Sequence, residues 1–198
     1  YEDVFKAAEL PYITVAGKGY YDRQEVWDLI NLLRALHNPH DDLSLAAALR
    51  SPLFGLSDET LFALRLQTDA DGKTLPLWDA LATASDDPWL EFQISECEFA
   101  RDTLIDLHDM AGRAPVAEVL EHALDRTGCL AMLTGLPGGA RRRGNVEKLV
   151  ALARESGRTS LGAFMAYTRE LTTREVREGE AVIEVAGAVT IMSVHASK

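Results

Sequence analysis

The sequence predicts a mainly α-helical protein, in which an all-helical middle is flanked by short strands of an incomplete α/β domain. Three observations lead to this fold class. Apolar residues recur at helical spacing through most of residues 40–178, and one strand-like run lies near each end, at 12–16 and 189–192. Hydrophobic residues make up 47% of the 198 residues, which is enough for a substantial core. We therefore expect the two terminal strands to share a sheet and to bring the two ends of the chain close together.

The N-terminal elements follow from the apolar spacing and from two prolines. Residues 1–10 predict the end of a helix, which Pro11 breaks, and residues 12–16 predict a short strand closed by Gly17-Lys18-Gly19. A helix is predicted from about residue 22 to residue 37, and Asn38-Pro39 ends it. The apolar residues that recur at helical spacing in it are Val26, Leu29, Ile30, Leu33 and Leu36.

Capping residues and glycines divide the middle of the chain into further helices. Asp41 and Asp42 are N-cap candidates for a helix over 43–50, and Ser57 is the candidate for a helix ending near 66. Pro88 predicts the start of a long helix to about 110. Gly128 and Gly157 predict helix ends. The remaining predicted helices cover residues 77–83, 115–127, 129–135, 140–156 and 160–175, and residues 182–185 form one more strand candidate.

Composition excludes several classes of protein. The formal net charge of −11 argues against a protein that coats DNA through bulk electrostatics, although local phosphate contacts stay open. No apolar stretch approaches the roughly 20 residues of a membrane span, so we expect no membrane contact. Cys97 and Cys129 lack metal or redox spacing, and this favours a reduced, cytoplasmic setting. The histidines show no metal-ligand spacing, and Trp27, Trp78 and Trp89 are expected as core anchors rather than as base-stacking platforms.

A polar cluster follows the last predicted strand. Ser193, His195 and Lys198 come directly after residues 189–192, at the carboxyl end of a strand, where α/β sheets place ligand sites. From these residues alone, an edge strand with a polar tail remains an open alternative.

The run Ser193-Val194-His195-Ala196-Ser197-Lys198 resembles motif V of the UvrD/Rep-like superfamily 1A DNA helicases. That motif normally continues Gly-Leu-Glu-Phe, so we expect this chain to be a segment of a longer protein. Two stretches are similar to the AddA- and RecB-like branch, namely the turn within residues 49–58 and the helix start within 143–149. The other matching stretches, in chain order, are Leu10-Pro11-Tyr12-Ile13, Gly17-Lys18-Gly19-Tyr20-Tyr21, Glu25-Val26 and residues 33–42.

The resemblance implies a domain organisation and an activity for the longer protein. Residues 1–40 would be the first part of a RecA-like 2A domain, 41–180 a helical 2B domain, and 181–198 the returning 2A strand with motif V. The parent would be an ATP-dependent DNA helicase and translocase of DNA repair or recombination, using ATP and Mg. This chain has no GxxxxGK[ST] loop, and Gly17-Lys18-Gly19 lacks that spacing. We therefore expect no catalytic, cofactor or metal residue in it, and no activity of the chain alone.

Three groups of residues are the candidate DNA contacts. Ser193, His195 and Lys198 would bind single-stranded DNA phosphates and couple them to ATP. Gly55 and Ser57 form a turn that would meet duplex DNA, although the acidic residues after it, Asp58 and Glu59, favour a plain capped turn. The third group is the dense basic run Arg141, Arg142 and Arg143, for which phosphate contact and interdomain ion pairs are both open.

The partners implied are DNA at a single-strand–duplex junction and a second subunit of a repair complex. An alternative hypothesis is a non-enzymatic helical module that docks such a partner. Salt-dependent binding to a tailed duplex favours the first function, and partner capture without DNA binding favours the second.

Overall fold

In the computed structural model, the residues described are 4–5, 8, 10, 12–15, 20–84, 88–173 and 189–192. Within these ranges the protein is mainly α-helical, with nine α-helices and two short strands. The elements are β1 (Tyr12–Val15), α1 (Gln24–His37), α2 (Asp42–Arg50), α3 (Asp58–Leu66), α4 (Leu77–Ala82), α5 (Ile94–Met110), α6 (Val116–Thr127), α7 (Cys129–Gly135), α8 (Gly139–Ser156), α9 (Leu161–Thr173) and β2 (Val189–Met192).

The predicted helix boundaries are confirmed where capping chemistry sets them. The Asp41 carboxylate accepts a hydrogen bond from Ser44 N at 3.1 Å and caps α2. Gly128 ends α6 with φ of 64°, and Gly157 ends α8 with φ of 61°, in the left-handed region that glycine adopts without strain. Local sequence is therefore sufficient to locate these boundaries.

The long helix predicted from Pro88 begins differently. Residues Pro88–Gln93 form a 3₁₀-helix, and the α-helical part starts only at Ile94. A tertiary contact accompanies the tighter winding: the Gln93 side-chain oxygen accepts a hydrogen bond from Ser57 N at 2.9 Å. The prediction of one continuous α-helix is wrong at this end, because the contact joins residues far apart in sequence.

Helix α1 lies at the centre of one continuous core. Its residues Val26, Leu29, Leu33 and Leu36 are buried, and it packs against α2, α5, α8 and α9. The core of the described residues shows no break at residue 40, where the resemblance divides a 2A part from a 2B part. That division stays a prediction.

The two strands form a parallel pair, as expected from the sequence for the ends of the chain. Tyr12 lies opposite Val189, and Val15 lies opposite Met192. Because the strands are parallel, their carboxyl ends meet at the same edge. The strand candidate at 182–185 lies outside the described residues.

Two expectations about side chains have mixed outcomes. Trp27 and Trp78 are only partly buried and pack at the edge of the core, so their prediction as core anchors is corrected; the Trp89 side chain lies outside the described part. Cys97 and Cys129 are buried and unpaired. Burial, together with nearby carboxylates, raises the pKa of both thiols to about 11.

Among the helices described, none is long and apolar enough to cross a membrane.

Candidate nucleic-acid interface

The turn between α2 and α3 exposes its backbone at Gly55. The Ser51 carbonyl accepts hydrogen bonds from Phe54 N at 3.1 Å and from Gly55 N at 2.8 Å, which closes the turn. Gly55 has φ of 67° and open space around its α-carbon. The neighbouring side chains of Phe54 and Leu56 are buried. The turn is therefore anchored by its apolar side chains, while the glycine backbone faces solvent.

Ser57 is committed to capping α3. Its hydroxyl accepts a hydrogen bond from Thr60 N at 3.1 Å, and its own N–H donates to the side-chain oxygen of Gln93. The Thr60 hydroxyl donates to the same Gln93 oxygen. Both polar groups of Ser57 are thus used to hold the turn, as the capped-turn alternative expects.

A cation that sequence reasoning missed lies beside this turn. The Arg50 guanidinium pairs with the Asp58 carboxylate through two contacts, Nε to Oδ1 at 2.6 Å and Nη2 to Oδ2 at 3.2 Å. Both side chains are exposed, so the pair contributes little to stability. Separation of Arg50 from Asp58 therefore costs little free energy. The sequence feature that could have identified Arg50 is its position immediately before the turn that begins at Ser51-Pro52.

The basic run at the start of α8 is not one uniform cationic patch. Arg142 Nη1 lies 3.2 Å from the Glu25 carboxylate, which is 5% exposed. Arg143 pairs with Glu147 at 2.8 Å on the exposed face of α8, and Arg141 is half-buried. The middle arginine therefore joins α8 to α1, whereas Arg143 faces solvent.

Glu25 is the centre of a buried polar cluster between α1 and α8. Asn145 Nδ2 donates to the Glu25 carboxylate at 2.8 Å, and the Tyr20 hydroxyl donates to the Asn145 carbonyl at 2.8 Å. The Lys148 ammonium lies 4.7 Å from the centroid of the Tyr20 ring. Each of these contacts joins residues that are far apart in sequence, so the cluster fixes α8 on α1.

Asp28 lies on the same buried face of α1. It accepts a hydrogen bond from Gln24 Nε2 at 2.7 Å. Burial raises the pKa of this carboxyl to about 6, with a further contribution from the charge of Glu25, against the opposing effects of Gln24 and Arg142. Sequence reasoning missed both carboxylates. The available signal was that they interrupt the apolar stripe of α1.

The structure groups only some of the predicted site residues. Gly55 and Ser57 share one turn, and Arg141, Arg142 and Arg143 share the first part of α8, which packs on α1. Ser193, His195 and Lys198 lie outside the described residues. Within the described ranges, no group of three or more histidine, cysteine or acidic side chains is placed to hold a metal ion.

Comparison with known proteins identifies the family of the chain. A family model for the UvrD-like helicase C-terminal domain matches residues 1–198. The chain belongs to this family. This UvrD-like helicase C-terminal domain also has relatives that are each described as a subunit of an ATP-dependent helicase/nuclease.

Three of these relatives show the extent of the match. The Leuconostoc mesenteroides protein is 33% identical over 198 residues, covering 98% of this chain and 15% of that protein. The Thermoanaerobacter pseudethanolicus protein is 32% identical over 197 residues, covering 96% of this chain and 15% of that protein. The Listeria monocytogenes protein of serotype 4b is 28% identical over 202 residues, covering 100% and 16%. This UvrD-like domain therefore spans 15–16% of the length of these relatives.

Proposed function

We propose that this chain is the part of an ATP-dependent DNA helicase, of the AddA-like helicase/nuclease type, that carries domain 2B and, on either side of it, two parts of an incomplete domain 2A. The observation that carries the proposal is the match along the whole chain, both to the family and to relatives described as helicase/nucleases. ATP hydrolysis with Mg, and strand separation in repair or recombination, would belong to the intact protein, because this chain has no GxxxxGK[ST] loop.

In this proposal Ser193, His195 and Lys198 bind the phosphates of single-stranded DNA and couple that contact to ATP. The support is the parallel pairing of β1 with β2, which ends at Val15 and Met192, directly before Ser193 in sequence. Carboxyl ends of neighbouring parallel strands are the usual ligand edge of an α/β sheet. A hydroxyl and an imidazole can donate to phosphate oxygens, and a lysine adds a point charge.

The helical body would guide the duplex through the turn at Gly55. The exposed glycine backbone permits close approach of a phosphate, and Arg50 lies beside it as an exchangeable cation. Ser57 would act by holding the turn, since its hydroxyl caps α3. In the basic run, Arg141 and Arg143 are the proposed phosphate contacts, and Arg142 is the residue that ties α8 to α1.

We also propose that the helical unit starts near Tyr20 rather than at residue 41. Tyr20 and the apolar face of α1 are buried in the same core as α2 and α8. Helix α1 therefore moves with domain 2B in this account.

The test is the His195→Ala substitution in the intact protein. We expect DNA-stimulated ATP hydrolysis to fall roughly tenfold, equivalent to about 1.4 kcal/mol of lost transition-state stabilisation, while the thermal midpoint stays the same. His40→Ala is the matched control, because His40 is exposed in the helical body, and it should leave the ATPase unchanged. Full activity of a folded His195→Ala protein would remove the motif V assignment.

A second candidate function is docking of a partner protein of the same complex. Phe62 and Leu66 lie on the outer face of α3, opposite the buried Thr60 and Leu64, and are 65% and 62% exposed. The relatives are described as subunits, which implies at least one other chain in their complexes. Phe62→Asp should weaken association with such a partner and leave DNA-stimulated ATP hydrolysis intact. The reverse pattern would eliminate this candidate.

A further inference from the structure

We propose that the cleft between α1 and α9 receives one unpaired base of single-stranded DNA. The cleft has a volume of about 140 Å³. Residues of the 3₁₀ turn Tyr20–Asp22 and of α1 line one side, and residues of α9 line the other. The side chains that carry the argument are Tyr21, Trp27, Arg34, Met165, Arg169 and Thr172. The inference rests on the proposed function, since it needs a protein that meets single-stranded DNA.

A stacked cation and indole form the platform of the cleft. The Arg34 guanidinium lies 4.9 Å from the centroid of the Trp27 ring, and Arg34 Nη1 lies 3.4 Å from Asn31 Oδ1. Nucleobases stack on aromatic rings and on guanidinium planes, whatever their sequence. Trp27 and Arg34 are both partly buried and both line the cleft, so they are the groups on which a base would stack.

The cleft is lined by positively charged side chains, whereas the chain as a whole is negatively charged. The chain carries a net charge of −11, yet Arg34 and Arg169 line the cleft and its lining includes no carboxylate among the described residues. Two carboxylates lie near these cations outside the lining: the charge of Arg34 contributes to the lowered pKa of Asp41, and Glu170 follows Arg169 in sequence. The phosphates on either side of a bound base would meet these two guanidinium groups.

The volume of the cleft suits the ring of a single nucleobase rather than a drug-sized ligand. Pockets that enclose drug-sized molecules have volumes of about 300–1,000 Å³, well above the volume found here. Met165 and Ile30 supply an apolar wall, and the Thr172 hydroxyl supplies a polar edge. The cleft also lies between the first and the last of the described α-helices.

The experiment compares binding of two single-stranded oligonucleotides to the 198-residue chain by fluorescence anisotropy. One is oligothymidylate, and the other has the same length and phosphates but abasic sites in place of bases. We expect the chain to bind the strand with bases roughly tenfold more tightly, a preference within the range of one stacked base. Equal affinity for the two strands would overturn the inference.

Three variants locate the preference. Trp27→Leu keeps apolar volume but removes the aromatic face, and it should abolish the preference; Trp27→Phe keeps a ring and should retain most of it. Trp78→Leu is the matched control, because Trp78 is also partly buried but packs against His108 on another part of the core. A preference that survives Trp27→Leu, or that Trp78→Leu abolishes equally, would contradict the assignment. If the bases make no difference but His195→Ala still impairs the intact protein as expected, only the cleft is rejected and the proposed function stands.

Discussion

Among single residues, the buried carboxylate of Glu25 is the one on which the packing of α8 against α1 depends. Arg142 and Asn145 are its partners, and both reach it from α8. A buried charge that is only partly compensated is costly, because its lost hydration is not replaced. The position of α8 on α1 therefore depends on these two side chains.

We expect Arg142→Ala to lower the free energy of unfolding by about 1–3 kcal/mol, since it leaves the Glu25 charge short of a partner. Arg143→Ala should change it by less than about 0.5 kcal/mol, because the pair with Glu147 is exposed. Urea denaturation of the two variants measures the difference. Equal effects would show that Glu25 does not need Arg142. For the same reason, a DNA-binding test of the basic run should change Arg141 and Arg143 and leave Arg142 in place.

Asp28 makes stability depend on pH. Its pKa is raised from 3.8 to about 6 by burial, so the folded state binds the proton more tightly than the unfolded state. Its contribution is therefore most favourable below the unfolded pKa, and stability decreases as the pH rises from about 4 to about 6. We expect Asp28→Asn to stabilise the protein by about 2–3 kcal/mol at pH 7 and to have no effect near pH 3. Thermal melts across this pH range test it, and a gain that is constant with pH would contradict the assigned cause.

At the scale of elements, the turn between α2 and α3 combines a capping role with a proposed DNA contact. Ser57→Ala removes the cap of α3 and should lower the free energy of unfolding by about 1 kcal/mol. Ser57→Asp keeps an N-cap acceptor and should preserve stability, but it places a negative charge beside Gly55. Weaker binding of a tailed duplex by Ser57→Asp, measured in low salt, is the result expected of a phosphate contact. Unchanged binding would leave this turn with a structural role alone.

Most helix boundaries were predictable because their causes are local. Asp41, Ser57, Gly128 and Gly157 set helix ends through neighbouring backbone groups, and the apolar spacing of α1 identified its buried face. The 3₁₀ start at Pro88–Gln93 was not predictable, because it accompanies a contact of Gln93 with Ser57 from a different part of the chain. The partial burial of Trp27 and Trp78 was likewise missed, since neighbouring leucines do not show which elements cover a side chain.

The sequence was sufficient to predict which types of residue form the candidate site, but not which side chains they pair with. The sequence identified the turn at Gly55 and the three arginines. It did not show that Arg142 faces Glu25, or that Arg50 pairs with Asp58. Glu25 and Arg142 lie far apart along the chain, and no local pattern joins them. Buried ion pairs of this kind become visible only once the helices are packed.

At the scale of the whole molecule, one core holds the helical body, and a parallel strand pair joins the two ends of the chain. An acidic protein with this arrangement cannot hold DNA through its overall field. The DNA contacts that we propose are accordingly local: the turn of Gly55, the cleft beside Trp27, and Ser193, His195 and Lys198, which follow Met192 in sequence.

We infer that this chain serves an ATP-driven DNA helicase. The most direct measurement is strand separation by the intact protein on a duplex with a single-stranded tail, followed with and without ATP. We predict separation that requires ATP and Mg, with ATP hydrolysis that the tailed DNA stimulates. An intact protein that binds the tailed duplex but neither hydrolyses ATP in response nor separates the strands would contradict the account.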